Sequence, residues 1–141
     1  MASTNFARSA TEALTPPVRC PCLSGETYDD CCGRLHRGEA DAPTAERLMR
    51  ARFSAFAVGD AAYLVRTWHP STRPERGQLE LDSSIRWYRL DVLGTTGGGL
   101  LDRAGTVHFR AYFRGASKGV QEENSSFVRE GGRWFYVDGL S

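Results

Sequence analysis

The chain has 141 residues, 40% of them hydrophobic and 25% charged, with a formal net charge of +1. That length suits one domain with a small appended module, and the composition is ordinary for a globular protein with its own core. The near-neutral balance argues against a dedicated nucleic-acid binder, and no apolar run reaches the length of a membrane span, so neither is an expected partner.

Residues 1–19, "MASTNFARSATEALTPPVR", are rich in Ser, Thr, Ala and Pro and read as a flexible tail. They have no apolar h-region of the secretory kind, so a cytoplasmic location is expected.

All four cysteines lie in the next stretch, "CPCLSGETYDDCCG", at positions 20, 22, 31 and 32. Disulfides would need an oxidising compartment, and a bridge between adjacent Cys31 and Cys32 would strain the peptide between them. A thioredoxin-type redox site would show C-x-x-C beside a βαβ pattern, which is absent. Four thiolates suit a tetrahedral Zn²⁺ whose coordination is closed, hence structural. On the residues alone the metal leads, with disulfide and redox chemistry still in contention. Ser24-Gly25 supports a tight turn in the loop between the cysteine pairs, and the Tyr28 ring can cover the site.

The pattern C-P-C-x-S-G-x-x-Y-x-x-C-C-G resembles the SEC-C motif, a small zinc-binding module at the C-terminus of the SecA preprotein translocase ATPase and in many bacterial proteins. The resemblance implies that Cys20, Cys22, Cys31 and Cys32 hold a structural Zn²⁺ within a module spanning residues 20–38. Ser24, Gly25, Tyr28 and Gly33 also match, whereas Leu23 departs from the usual glycine. SecA modules of this kind are lysine-rich and contact the chaperone SecB and ribosomes. Here Glu26, Asp29 and Asp30 outweigh Arg34 and Arg37. With Zn²⁺ and four thiolates the knuckle carries roughly −3, which disfavours acidic SecB. The resemblance carries over the metal; a protein partner of the knuckle is expected but not named.

"HRGEADAPTA" reads as a linker. A helix is expected over "TAERLMRARFSAFAVG", with Thr44 as N-cap, Glu46 in the first turn and Gly59 at its end. Leu48, Met49, Phe53 and Phe56 form its apolar stripe, flanked by Arg47, Arg50 and Arg52. Asp60 caps a second helix, "AAYLVRTW", that stops before Pro70.

The pattern then turns to period two. "IRWYRLDVLG" sets Trp87, Arg89 and Asp91 opposite Tyr88, Leu90 and Val92. "TVHFRAYFR" puts Val107, Phe109, Ala111 and Phe113 on one face and His108, Arg110, Tyr112 and Arg114 on the other. "GVQEENSSFVRE" and "RWFYVDG" are two more strands, joined by a Gly131-Gly132 hairpin turn. "GTTGGG" and "GAS" mark the other turns. Helices followed by an antiparallel meander make an α+β domain over 44–141. This part resembles the nuclear transport factor 2-like cone, in which helices pack against a curved antiparallel sheet. With the SEC-C module ahead of it, the chain from residue 20 onward resembles the YchJ-like family, which brings no established activity.

Cone folds of this type often enclose a ligand cavity, though fold alone is a poor guide to function. His69, fixed before Pro70, is a candidate general base, with a backbone-bonded corner as the plainer alternative. Glu123 and Ser125 share a strand face with Phe127. A buried Glu123 would seek His69, Arg73 or Arg110 as its partner. Trp68, Ser125, Trp134 and Tyr136 are expected cavity-lining residues, and Trp134, Tyr136 and Asp138 share a face. Asp138 before Gly139 suits a strand-end hydrogen bond. No nucleophile elbow, P-loop or dinucleotide fingerprint occurs, and four thiols leave His36 and His108 no place as metal ligands. These features describe a protein-binding or adaptor module with a small-ligand cavity, for which a dimer stays open. The alternative is a cavity enzyme, of hydrolase or isomerase type, using His69 and Glu123.

Overall fold

The computed structural model describes residues 18–75 and 77–140. Most of the expected tail therefore lies outside the described residues. Its last two residues already belong to the knuckle: Arg19 bridges to Thr27, and the Tyr28 amide donates to the Val18 carbonyl at 2.8 Å.

Among the described residues, three helices precede four strands. They are α1 (Cys32–His36), α2 (Ala45–Val58) and α3 (Ala61–Arg66), then β1 (Arg86–Gly97), β2 (Ala104–Arg114), β3 (Lys118–Glu130) and β4 (Arg133–Leu140). The strands form one antiparallel sheet in the order β1-β2-β3-β4. Helix termini form where local chemistry dictates. The Thr44 hydroxyl accepts from the Arg47 amide at 3.1 Å, and Gly59 takes a left-handed φ of 80°. The Asp60 carboxylate caps α3 through the Tyr63 amide.

The helix α2 is buried on two opposite faces. Met49, Arg52, Phe53 and Phe56 face the sheet side. Arg47, Arg50, Ala51 and Ser54 meet the cysteine knuckle. Each set follows the i, i+3, i+4, i+7 rule, and the two are offset by two residues, which is half a helical turn. Arg52 thus stands inside an apolar stripe rather than beside one; the expectation that it only flanks the stripe is corrected. On the knuckle side, small Ala51 and Ser54 let the thiolates approach the helix. Sealing Phe53 between α2 and the sheet contributes about 2–3 kcal/mol by area.

Period two describes β2 well: Val107, Phe109 and Ala111 are buried, and Phe113 packs on Trp87 at a ring distance of 5.1 Å. β1 departs from it. The register steps from Trp87↔Phe113 to Arg89↔Tyr112, so Tyr88 is an extra residue. That bulge reverses the alternation and turns Trp87 to the side of buried Leu90, not opposite it. β1 shifts register again between Val92 and Gly94, and a bulge in β4 at Val137 pairs Asp138 with Ser126 while Tyr136 pairs with Phe127. Asp138 therefore faces outward, away from Tyr136, and accepts from the Ser126 hydroxyl at 3.1 Å.

"GTTG" is strand, not turn, because Thr96 and Gly97 pair with Thr106 and Gly105 across β2. Gly131 and Gly132, at φ 60° and 80°, make the two-residue connection of β3 to β4. α3 ends at Arg66, short of the expected Trp68, because the chain next pairs with β4. The His69 amide donates to the Tyr136 carbonyl at 2.7 Å, and the Tyr136 amide to the Thr67 carbonyl at 2.8 Å. This pairing brings Trp68 over the hollow face of the sheet. Among the described residues, no helix is long and apolar enough to cross a membrane.

Candidate metal centre and cavity

Two sites lie on either side of α2. The first is the cysteine quartet. The Sγ atoms of Cys20, Cys22, Cys31 and Cys32 all lie within 4.8 Å of one another, and all four residues are buried. Ions bound at about 2.3 Å by tetrahedral thiolates need sulfurs at this kind of spacing. The knuckle backbone sets it: the Cys20 amide donates to the Glu26 carbonyl at 2.9 Å, and the Leu23 amide turns back to the Cys20 carbonyl at 3.1 Å. That turn places Leu23 at a φ of 68°, the left-handed region that suits glycine. Gly33 is required for a different reason, since a Cβ there would strike the Tyr28 carbonyl at 2.6 Å.

Neighbouring donors surround the sulfurs. The Arg47 guanidinium donates to Cys32 Sγ at 3.3 Å and to Cys31 Sγ at 3.4 Å. The hydroxyls of Ser24 and Ser54 sit 3.2 Å from Cys31 Sγ and 3.6 Å from Cys20 Sγ. Hydrogen bonds from Cys22 and Cys32 hold the Cys20 thiol far below its usual range. A hydrogen bond with Cys20 drives Cys32 far above it, and burial raises Cys31. Sulfurs this close oppose one another's ionisation, and a cation bound among them would allow all four to be thiolates. The donor set fits a metal ion held by Cys20, Cys22, Cys31 and Cys32.

His36, four residues on, clamps the knuckle to α2. Its Nε2 donates to the Ala51 carbonyl at 2.9 Å and its Nδ1 accepts from the Tyr28 hydroxyl at 2.6 Å. Burial holds its pKa below the ordinary histidine value. The sequence expectation sets His36 outside the ligand set, and its latch role depends on a helix fifteen residues away.

The second site is a cavity of about 190 Å³ between α2, Trp68 and the sheet. Phe53, Phe56, Trp87, Phe109 and Tyr136 give it aromatic walls, and Glu123, Ser125 and Arg52 give it polarity. Of the residues expected there, Trp68, Ser125, Tyr136 and Glu123 do line it. Trp134 does not; it borders a separate hollow with Leu35 and Tyr63, and its Nε1 donates to the Pro43 carbonyl at 3.2 Å. His69 is also elsewhere. Its Nε2 lies 2.9 Å from Glu130 and its Nδ1 2.7 Å from the Ser71 hydroxyl, with the ring edge-on to Phe135.

Glu123 takes none of the partners expected for it. Its carboxylate accepts from the Ser125 hydroxyl and, at 3.4 Å, from the Tyr136 hydroxyl. It lies so close over Gly139 that a Cβ there would collide with it. Arg73 instead donates to the Trp68 carbonyl at 2.9 Å, and Arg110 to Glu122 at 2.8 Å. Burial pushes the Tyr136 hydroxyl up to about 12, with Glu123 adding to the effect.

Arg52 is the residue that sequence reasoning missed. It is 4% exposed. Its Nη1 donates to the Leu64 carbonyl and the Thr67 hydroxyl, both at 2.8 Å. Its guanidinium lies 4.5 Å from the Tyr136 ring centre and 5.2 Å from that of Trp68. Burial pulls its pKa down to about 10, which leaves it charged at neutral pH. The available signal was its place three residues after Met49 in a Met49–Phe56 stripe.

Comparison with known proteins agrees with both halves. Residues 44–139 match the family model described as YchJ, middle NTF2-like domain, and residues 19–34 match that of the SEC-C motif. A UPF0225 protein of Corynebacterium glutamicum is 56% identical over 121 residues, covering 86% of this chain and 95% of the relative. A UPF0225 protein of Streptomyces avermitilis is 54% identical over 123 residues, covering 87% and 84%. The solution structure of a SEC-C motif containing protein from Rhodopseudomonas palustris superposes with a TM-score of 0.72 at 36% identity, covering 88% of this chain and 98% of that one. A chain whose four clustered thiols pack on the first helix of an NTF2-like domain thus belongs to the YchJ-like, UPF0225 family of SEC-C motif proteins.

Proposed function

We propose that this chain is a zinc-binding protein whose metal fixes the knuckle on α2 and whose cavity receives a small ligand. The observation that carries the reading is the cavity itself: about 190 Å³, aromatic-walled, with the buried Arg52 as one of its sides. Apolar concave sites with a few placed polar groups are the usual form of small-molecule sites. Zinc is favoured among metals by four thiolate donors, a buried site and a closed ligand set. A structural ion here would contribute directly to folding of so short a segment.

Binding is favoured over hydrolase or isomerase chemistry because Glu123 has serine and tyrosine partners and no histidine, while His69 is engaged by Glu130 and Ser71. The exposed knuckle loop, with Leu23, Glu26, Asp29 and Asp30, supports a protein contact at that outer face. Affinity capture with intact chain beside a four-cysteine variant would assign such a contact to the knuckle.

The test of the reading has two arms. Purified protein should hold about one zinc per chain, lost in Cys20→Ser. Ring-sized organic compounds should raise the melting temperature of the metal-loaded protein in a saturable way. A metal-free chain with four titratable thiols would refute the first arm, and no saturable ligand across a ring-compound panel would refute the second.

A further inference from the structure

The ligand-binding reading of the cavity is the foundation of a sharper statement. We infer that the cavity is a site for a small ring-bearing carboxylic acid whose carboxylate sits on Arg52. The cavity's unmet demand is for an acceptor. Arg52 uses only Nη1 on the protein, and its Nε and Nη2 N–H groups have no acceptor among the described residues. No carboxylate among the described residues lies within ion-pair distance of it, although it remains a cation at neutral pH. Trp68, walling the same cavity, adds a buried donor: its Nε1 has no hydrogen-bond partner among the described residues.

The cavity's own carboxylate does not answer that demand, because Glu123 is committed to Ser125 and Tyr136 and is pressed against Gly139. A planar guanidinium with a free edge matches a carboxylate's two oxygens as a fork. A single cation with Glu123 nearby suits a monoanion better than a doubly charged phosphate ester. Size sets the rest. An apolar cavity of about 150 Å³ accepts a benzene ring, so 190 Å³ suits one six-membered ring with a carboxylate. Phe53, Phe56 and Trp87 supply the ring's apolar surroundings.

The test uses the full-length, metal-loaded chain and three probes of one shape: benzoate, benzamide and benzylamine. Calorimetry should show benzoate binding at least about tenfold tighter than either of the others, a gap of one fork-type interaction. Arg52→Gln should erase that preference, bringing benzoate and benzamide to within about twofold of one another. Should Arg52→Gln fail to fold, the Arg52 Nε–H resonance of the unaltered protein gives the same answer. It should shift downfield with benzoate and stay still with benzamide. Equal affinity for benzoate and benzamide, a preference for benzylamine, or an unmoved Arg52 resonance would overturn the carboxylate assignment and leave the cavity reading standing. Failure of all three probes at millimolar concentration would overturn both.

Discussion

Arg47 tests whether the metal site ends at its four sulfurs. It arises from α2, yet its guanidinium donates to Cys32 Sγ and Cys31 Sγ at 3.3 and 3.4 Å. Burial alone would lower its pKa, but the hydrogen bond to Cys32 and the charge of the cluster raise it instead. At an effective dielectric near 20, unit charges 4 Å apart attract by about 4 kcal/mol, much of it offset by desolvation. Hydrogen bonds to charged groups retain about 1.5–3 kcal/mol each, and loss of outer partners typically weakens metal affinity by about 10–100-fold. When both are loaded with zinc, Arg47→Gln should therefore release the ion to a chromophoric chelator at a concentration about 10–100-fold lower than the unaltered chain requires. Arg47→Lys, which keeps the charge and loses the fork, should fall between the two. Competition titration at neutral pH gives the numbers, with circular dichroism as the control for folding. An Arg47→Gln affinity within about twofold of the original would show that the sulfurs need no partner from α2.

Two further outcomes follow from the knuckle. His36 has its pKa lowered by burial, so the unfolded state binds its proton first as pH falls. Its contribution to stability is whole above about 6.5 and is lost as pH falls from there toward the folded value, at no more than about 1.4 kcal/mol per pH unit. Urea melts of the metal-loaded protein across this window should show the loss for the native chain and a flatter profile for His36→Gln. Equal slopes would remove His36 as the cause and leave thiolate protonation, which acts in the same direction. At Leu23, a non-glycine residue at φ 68° costs about 1–2 kcal/mol, and glycine gives back about 0.4–1 through the unfolded chain. Leu23→Gly should thus stabilise the metal-loaded protein by up to about 1.6 kcal/mol. A clear loss of stability would mean that the exposed leucine makes a contact worth more than the strain.

What the sequence showed, it showed through local chemistry. The Thr44 cap, the Gly59 stop, the Asp60 cap, the Gly131-Gly132 turn and the buried face of β2 all rest on interactions within a few residues or on strict alternation. The cysteine quartet was legible for a similar reason, since one short loop supplies every thiol. The losses came from longer-range causes. Two bulges, at Tyr88 and Val137, reversed the sides of Trp87 and Asp138, and nothing in a strand's own pattern announces an extra residue. The sequence pairs His69 with Glu123 only because both are ionisable. The pairing of Thr67–His69 with Tyr136 and the reach of Glu130 gave His69 another place. Arg52 was hidden because a charged residue inside an apolar stripe reads as a neighbour of that stripe.

The two-faced helix also bears on how this family can be cut and joined. Along the chain, the matches to the SEC-C motif and the NTF2-like domain stop and start at residues 34 and 44, an inviting place for a deletion. In space there is no such seam. Removing the knuckle would bare Ala51, Ser54 and the Arg50 and Ala51 carbonyls, a strip built to meet sulfur and imidazole rather than water. A SEC-C motif transplanted onto another protein would correspondingly need a host helix with small residues at those positions and an arginine one turn earlier.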